Sequence, residues 1–580
     1  MNLGSDLGST YSSFSTYNKA PGLVELCKPT HSESEAVPSI ACLDEDDHLL
    51  TGHEAREELR DNADTTSFEA FKMLLTENRQ EILKERGYDA EYTPRYITER
   101  FLEQQVRKIL TGRGEEKVEN LVICVPEFWN TKAAADRGRL DGRSILQSIC
   151  SKFADQVQVV CEPAAASAYY AWQYRKTTGS PMKGNVLIVD YGGGTLDLTL
   201  TQVSSEGKDQ EAVEIEVKQR TGVGDNHPGR IGDAGIAYME KVIRLAVAEC
   251  PDLDIEDPEE LDPKEPIFWK TYTNLERKLK GQSAPGGSTS SGEEDSYRLY
   301  NAVEDCIDDI SQLEENEEVF TTVRYGKTKV NVTFSHLARA YNTIIRDQLD
   351  ECLRYMTNYM DDAKIDYESS NNDQFHVVLV GGFCKFILVQ NQIQEFFDAS
   401  STGDLRFVFD LGENREFAVA MGAALLADKI MVIRHTAPYA IGVVSYTADK
   451  RPVSNFAIHF REVISASQEF WIGGEKPKQF INAAGGVGSF LIGYDDKGKQ
   501  QHKLVIKPKL ARKIEAAYEK LAEDYAAKFP NASRFGLAHN LGFRMDESEI
   551  VSLLIRAVKT GTVEEIRLSS YQDMFELTEV

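Results

Sequence analysis

Asp190-Tyr191-Gly192-Gly193-Gly194-Thr195-Leu196-Asp197 follows directly on the apolar run 186–189. A short, continuous apolar run of this kind reads as a buried strand. The sequence therefore sets a carboxylate at a strand end and a glycine-rich turn immediately after it. Glycine lets the backbone approach a phosphate closely, and turn amides can point at its oxygens. An aspartate just before such a turn can hold Mg²⁺ through its water shell. Near the chain start, Asp6-Leu7-Gly8-Ser9-Thr10 repeats the plan. One such turn alone is as readily a glycine hairpin with a solvated aspartate. Two, one near the start of each half, predict duplicated lobes facing one cleft.

Outward from these turns, apolar runs at 121–125 and Phe375–Val380 read as further strands, the second closing on Gly381-Gly382. Helical patterns cover residues 94–110, 132–151, 164–174, 236–248, 334–359 and 416–430. Strands interleaved with helices predict an α/β architecture. Residues 251–266 form an acidic, proline-bounded connection, and 282–295, rich in Gly, Ser and acid, read as a surface loop. The texture changes after Lys429. Residues 437–505 show short alternating stretches broken by glycine pairs, which predicts a β-rich unit. Helical periodicity returns at 510–529, and 565–580 read as strand or irregular chain. The predicted domains are 1–428, a linker at 429–436, and a smaller β-rich C-terminal domain with a helical segment at 437–580.

Of 580 residues, 41% are hydrophobic and 27% charged, as in an ordinary soluble globular protein. Acidic residues outnumber basic ones, 93 to 65, for a net charge of −28. Such a surface repels phosphate backbones and anionic lipid, which argues against nucleic-acid and membrane partners. Backbone amides and Mg²⁺ still offset the charge of a single bound nucleotide locally. The nine cysteines include no CxxC pair and read as reduced core residues of a cytoplasmic protein. No basic–apolar leader and no run of about 18 apolar residues is seen.

The two turns resemble the phosphate motifs of the DnaK-like seventy-kilodalton heat-shock chaperones, a branch of the actin-like ATPase superfamily. Further matches fall in the family's order. They are Val37-Pro38-Ser39-Ile40, Leu50-Thr51-Gly52-His53-Glu54-Ala55, the stretch from Val122-Ile123-Cys124-Val125-Pro126 to Asn130, and Cys161-Glu162-Pro163-Ala164 with its alanine-rich continuation. Val378-Leu379-Val380-Gly381-Gly382 resembles the adenosine motif, and the helix opening at Ala418 the second connecting segment. The resemblance covers about residues 1–430.

It implies a fold of duplicated actin-like ATPase lobes around a nucleotide cleft, and ATP/ADP and Mg as cofactors. Asp6 and Asp190 would organise the metal. Ser9, Thr10, Gly192, Gly193, Gly194 and Thr195 would surround the nucleotide's phosphates, and Gly8 and Tyr11 would also bind the nucleotide. Lys72, Glu162 and Asp197 would be catalytic: the lysine places water and the γ-phosphate, and a carboxylate orients the water. By themselves, Lys72 reads as a solvated helix lysine and Glu162 as a helix N-terminal acid. For the nucleoside the resemblance implies Glu276, Lys280, Ser283, Gly381, Gly382, Phe383, Lys385 and Glu416. Two lysines stand where the family encloses the base with arginines, and lysine lacks a planar guanidinium for stacking. Phe383 either forms an apolar wall or fills the pocket.

The implied function is a slow ATPase switch that couples nucleotide state to a C-terminal protein-binding module. Extended polypeptide clients and co-chaperones are the implied partners. The C-terminal residues have the size of a shortened peptide-binding sandwich or of an unrelated interaction module. The run Ile430-Met431-Val432-Ile433 would couple the two by docking in an ATP-dependent way; alternatively it is an ordinary buried strand or helix end. An actin-like polymer subunit, a small-molecule kinase and a nucleotide-binding scaffold with little turnover share the two turns.

Overall fold

The computed structural model describes residues 1–29, 34–62, 65–127, 129, 141–204, 213–224, 234–255, 257–261, 265–279, 311–367, 374–398, 407–408, 411–446, 452–465, 468–481, 489–493, 501–531, 538–568 and 575–579. They belong to two compact units. The first combines Met1–Leu74, Arg79–Phe128 and Cys161–Val432; the second combines Leu75–Asn78, Trp129–Val160 and Ile433–Val580.

The first unit is mixed α/β and carries two sheets with a common device. In one, the strand Asn2–Asp6 runs antiparallel to Tyr11–Asn18 and parallel to Val118–Val125. In the other, Gly184–Tyr191 runs antiparallel to Leu196–Ser204 and parallel to Phe375–Val380. Each time an aspartate ends or nearly ends the central strand, and a short turn returns the chain as its hairpin partner. Register fixes the neighbours: Asp6 stands opposite Ser13 and Cys124, and Asp190 opposite Asp197 and Val380.

Residues 186–189 are fully buried, as their unbroken apolar run requires. The helix Glu162–Thr178 packs on this strand. It opens with Pro163 in its first turn and closes on Gly179 in the left-handed conformation, φ 74°. The helix Ala418–Ala427 lies against both Glu162–Thr178 and Asn2–Asp6, and all ten of its residues are buried. Backbones touch there. A Cβ on Gly422 would stand 1.7 Å from the Ala165 carbonyl oxygen, and one on Gly4 2.2 Å from the Ala424 nitrogen. The helix read across 334–359 is interrupted: Phe334–Tyr341 and Asp347–Asp362 flank a π-helical turn, Asn342–Arg346.

The second unit is mostly β. One sheet has the order Pro452–Ile458, Ala440–Tyr446, Ser489–Gly493, Gln501–Ile506, Phe575–Glu579. Another runs Phe470–Trp471, Ala538–Met545, Val551–Ala557, Val563–Arg567. The helix Pro508–Lys528 buries Leu510, Ile514, Ala517, Leu521 and Tyr525, one stripe at helical spacing. Residues 129–160 belong to this unit as well. The helical pattern read over 132–151 is seen as Gly142–Cys150, capped by the Asp141 carboxylate; 130–140 lie outside the described residues. Arg143 on this helix pairs with Glu549 at 3.4 Å, both buried. The run read as the coupling segment contains a strand, Met431–Arg434, with alternating buried and exposed residues. All eight described cysteines are buried and free of disulfides. No described helix is long and apolar enough to cross a membrane.

Candidate functional site

Both Asp–Gly turns open on one cavity of about 640 Å³ in the first unit, within the range of small-molecule sites. The turns meet face to face. A Cβ on Gly193 would stand 2.6 Å from Thr10 Oγ1, and one on Gly194 2.7 Å from Ser9 Oγ. Hydroxyls from the first turn therefore occupy the space that glycine leaves free in the second. The second turn is held by the Gly192 amide donating to the Thr195 carbonyl at 3.0 Å.

Between the turns lies a buried lysine. Ala70, at φ 50°, bends the chain ahead of the one-turn helix Phe71–Leu74, whose four residues are all buried. Left-handed backbone at a non-glycine residue costs on the order of 1–2 kcal/mol. Here it carries Lys72 inward, where Nζ donates to Glu162 Oε1 at 2.6 Å with the lysine side chain 3% exposed. Lys72 is therefore not a solvated helix lysine. Glu162, first residue of its helix, meets the positive end of the dipole as well as the ammonium.

Charge at the site is unbalanced. Asp190, Asp197 and Glu162 are buried and Asp6 is half-buried, with buried Lys72 among them. Burial, and then Glu162, pushes the Asp6 carboxyl up to about 7, against the pull of Lys72. Burial, with Glu162, Asp197 and Asp6, holds Asp190 well above the usual carboxylate range. Asp197 is raised by burial, Glu162 and Glu127. Burial alone would lower the Lys72 ammonium, but Glu162 and Asp6 overrule it and raise it. Positive charge brought near these carboxylates would relieve their repulsion, although among the described residues no group of three or more acids, histidines or cysteines is set to hold a metal ion directly.

Farther along, the cavity is lined by Tyr11, Glu276, Gly381, Gly382, Phe383 and Glu416. Phe383 is a wall and leaves the cavity open. Its ring meets Tyr191 and Tyr238 edge-on, with centroids 5.2 and 5.4 Å apart, and lies against Gly235, where a Cβ would approach it to 2.9 Å. Gly381, at φ 83°, adopts a conformation suited to glycine and also leaves room for Asp190 Oδ1. Lys280, Ser283 and the side chain of Lys385 lie outside what the structure describes. Asp197 sits behind the second turn: it is fully buried and its Oδ1 accepts the Glu127 amide at 3.0 Å.

Several neighbours escape sequence reading. His53, Arg56, Met239 and Tyr272 line the cavity, and Arg56 Nη1 donates to the Tyr11 hydroxyl at 2.9 Å. Buried Glu127 pairs with Arg220 at 3.1 Å. Only Glu127 leaves a sequence signal, a lone acid inside the apolar stretch from Val125 to Trp129.

Two facing glycine turns, each led by a carboxylate and bridged by a buried lysine–glutamate pair, have the chemistry of a site for a phosphorylated ligand and a cation. The sequence model of the Hsp70 family, described as "Hsp70 protein", matches residues 2–219 and 287–436. The chain belongs to the Hsp70 family, in its DnaK-like form. It is 22% identical over 464 residues to the "Chaperone protein DnaK" of Nitrosopumilus maritimus, covering 78% of this chain and 60% of the relative. It is 23% identical over 477 residues to that of Cyanidium caldarium, covering 76% and 63%. With the DnaK of Thermoplasma volcanium the identity is 29% over 213 residues, 35% of this chain and 30% of the relative. The chain thus spans less than two thirds of the length of these relatives.

Proposed function

We propose that the chain is a chaperone-type ATPase switch that binds Mg-ATP between two lobes, hydrolyses it slowly to ADP and phosphate, and couples nucleotide state to protein binding by its C-terminal residues. The observation that carries the reading is the meeting of the 7–10 and 192–195 turns above the Lys72–Glu162 pair. In this reading, Ser9 and Thr10 bring hydroxyls to the phosphates, while Gly193 and Gly194 bring backbone without side-chain bulk.

Asp6 and Asp190 would hold the magnesium ion. When bound, the ion supplies charge that offsets the phosphates and draws electron density from the γ-phosphorus. Lys72 Nζ, raised and therefore charged at neutral pH, stabilises negative charge on the γ-phosphoryl oxygens. Water attacks the γ-phosphorus in line, forming one P–O bond as the bond to the bridging oxygen of ADP breaks. Glu162 or Asp197 orients that water and accepts its proton. The aromatic wall at Phe383 would face the nucleoside, and Glu276, which also lines the cavity, would meet ribose hydroxyls.

The DnaK relatives are named as chaperones, which supports extended polypeptide clients, with co-chaperones as regulators. Their match, and the reduced buried cysteines, support a cytoplasmic location. Calorimetric titration with ATP and ADP, with and without Mg²⁺, followed by a single-turnover assay, tests the proposal. Magnesium-dependent binding and release of phosphate are expected. Absence of any magnesium-dependent binding at millimolar nucleotide would refute it.

A further inference from the structure

The Glu127–Arg220 pair lies outside the catalytic set, yet the chain is built around its contact with Asp197. Glu127 follows the strand Val118–Val125 and Pro126, and is buried. Its amide donates to Asp197 Oδ1 at 3.0 Å. Its carboxylate accepts from Arg220 Nη1 at 3.1 Å, and the same Nη1 lies 3.6 Å from Sγ of Cys161, the residue before Glu162. Arg220 comes from the strand Val213–Val223, next to the Asp197 strand, with Asp197 opposite Gly222. A Cβ on Gly222 would stand 2.7 Å from Asp197 Oδ1. Thus one strand supplies both the space into which Asp197 leans and the arginine that fixes the segment donating to it. A buried carboxylate is costly unless paired and hydrogen-bonded, and Arg220 supplies that partner for Glu127.

We propose that Glu127 and Arg220 are positioning residues for Asp197: their ion pair anchors the 126–127 segment, so that the Glu127 amide keeps the Asp197 carboxylate aimed at the reacting water. This inference rests on the ATPase reading of the cleft. Neither residue touches the cavity wall, so the effect should fall on turnover and spare affinity.

The test measures kcat and the nucleotide Kd for Glu127→Gln, Arg220→Met, Arg220→Lys and the double variant Glu127→Gln/Arg220→Met. Loss of aim at a water-orienting carboxylate is expected to lower kcat by about tenfold in each disruptive single variant. Kd should stay within about twofold, Arg220→Lys should recover most of the rate, and the double variant should be no slower than either single one. Parent-like kcat in both disruptive variants, or loss of Kd in step with kcat, overturns the proposal. A parent that binds nucleotide but does not turn over refutes the ATPase reading instead. In that case the crystal structure of Arg220→Met decides the positioning claim: a displaced Asp197 carboxylate supports it, and an unmoved one with its 3.0 Å contact intact overturns it.

Discussion

The turn after Asp6 and the turn after Asp190 follow one plan but supply opposite things. The first carries its polar groups on side chains, Ser9 and Thr10, and its single glycine is pinned: a Cβ at Gly8 would stand 1.9 Å from the Tyr11 carbonyl oxygen. The second is bare. Gly192 has only the Thr195 oxygen near its missing Cβ, at 3.8 Å, while Gly193 and Gly194 are empty because Thr10 and Ser9 need the room. The electrostatics differ in the same sense. Burial raises both carboxyls and Lys72 pulls both down, but Asp6 feels one carboxylate, Glu162, whereas Asp190 feels Glu162, Asp197 and Asp6 together. Repetition of a backbone motif therefore does not imply repetition of role: one turn offers donors, the other offers space and the more crowded carboxyl group.

The largest expected effect breaks what the turns share. Lys72→Ala and Glu162→Gln should each slow single-turnover hydrolysis by about a hundredfold. Nucleotide Kd should change little. Lys72→Ala should also lower unfolding free energy by roughly 3 kcal/mol, since Glu162 loses its buried partner; denaturant titration reads this. Second, the glycines of the bare turn should divide. Gly193→Ala should weaken Mg-ATP binding by about tenfold, equivalent to about 1.4 kcal/mol, whereas Gly192→Ala should be nearly neutral. Equal effects would mean that the crowding at Thr10 is not what matters.

Third, the aspartates should separate by pH in the nucleotide-free protein. The Asp6 carboxyl rises from 3.8 to about 7 on folding. Between those values the folded protein keeps a proton that the unfolded chain has released, so stability falls as pH rises through that window. Asp6→Asn should leave the melting temperature unchanged below pH 4 and raise it above pH 7. Asp190→Asn, relieving three carboxylate neighbours, should raise it more. The smallest effect is Ser9→Ala: loss of one hydroxyl donor should cost about 1 kcal/mol of affinity, near fivefold, without changing the pH dependence.

Much of the site was legible because its signals are local. An apolar run ending in Asp190 and three glycines states its own geometry, and the strand Gly184–Tyr191 and turn follow from about a dozen consecutive residues. The same holds for the helix Pro508–Lys528, whose buried stripe is periodic in sequence. Lys72 is different. Its burial depends on a positive φ at Ala70 and on a partner 90 residues away, and neither is written in its neighbourhood. The π-helical turn at Asn342–Arg346 was invisible for a related reason, since the apolar pattern continues through it. The membership of residues 129–160 in the second unit reflects contacts such as Arg143 with Glu549, separated by most of the chain.

The backbone contact of Gly422 with Ala165, and of Gly4 with Ala424, bears on how far such a sequence can drift. Where side chains interdigitate, a change in one can be absorbed by its neighbour, so volume is traded and identity falls while shape persists. Where main chain rests on main chain, there is nothing to trade. A single methyl at position 4 or 422 would have to push a helix off its seat. In a chain only 22% identical to a relative over 464 residues, the least chemically conspicuous positions are thus among those with the least freedom to vary.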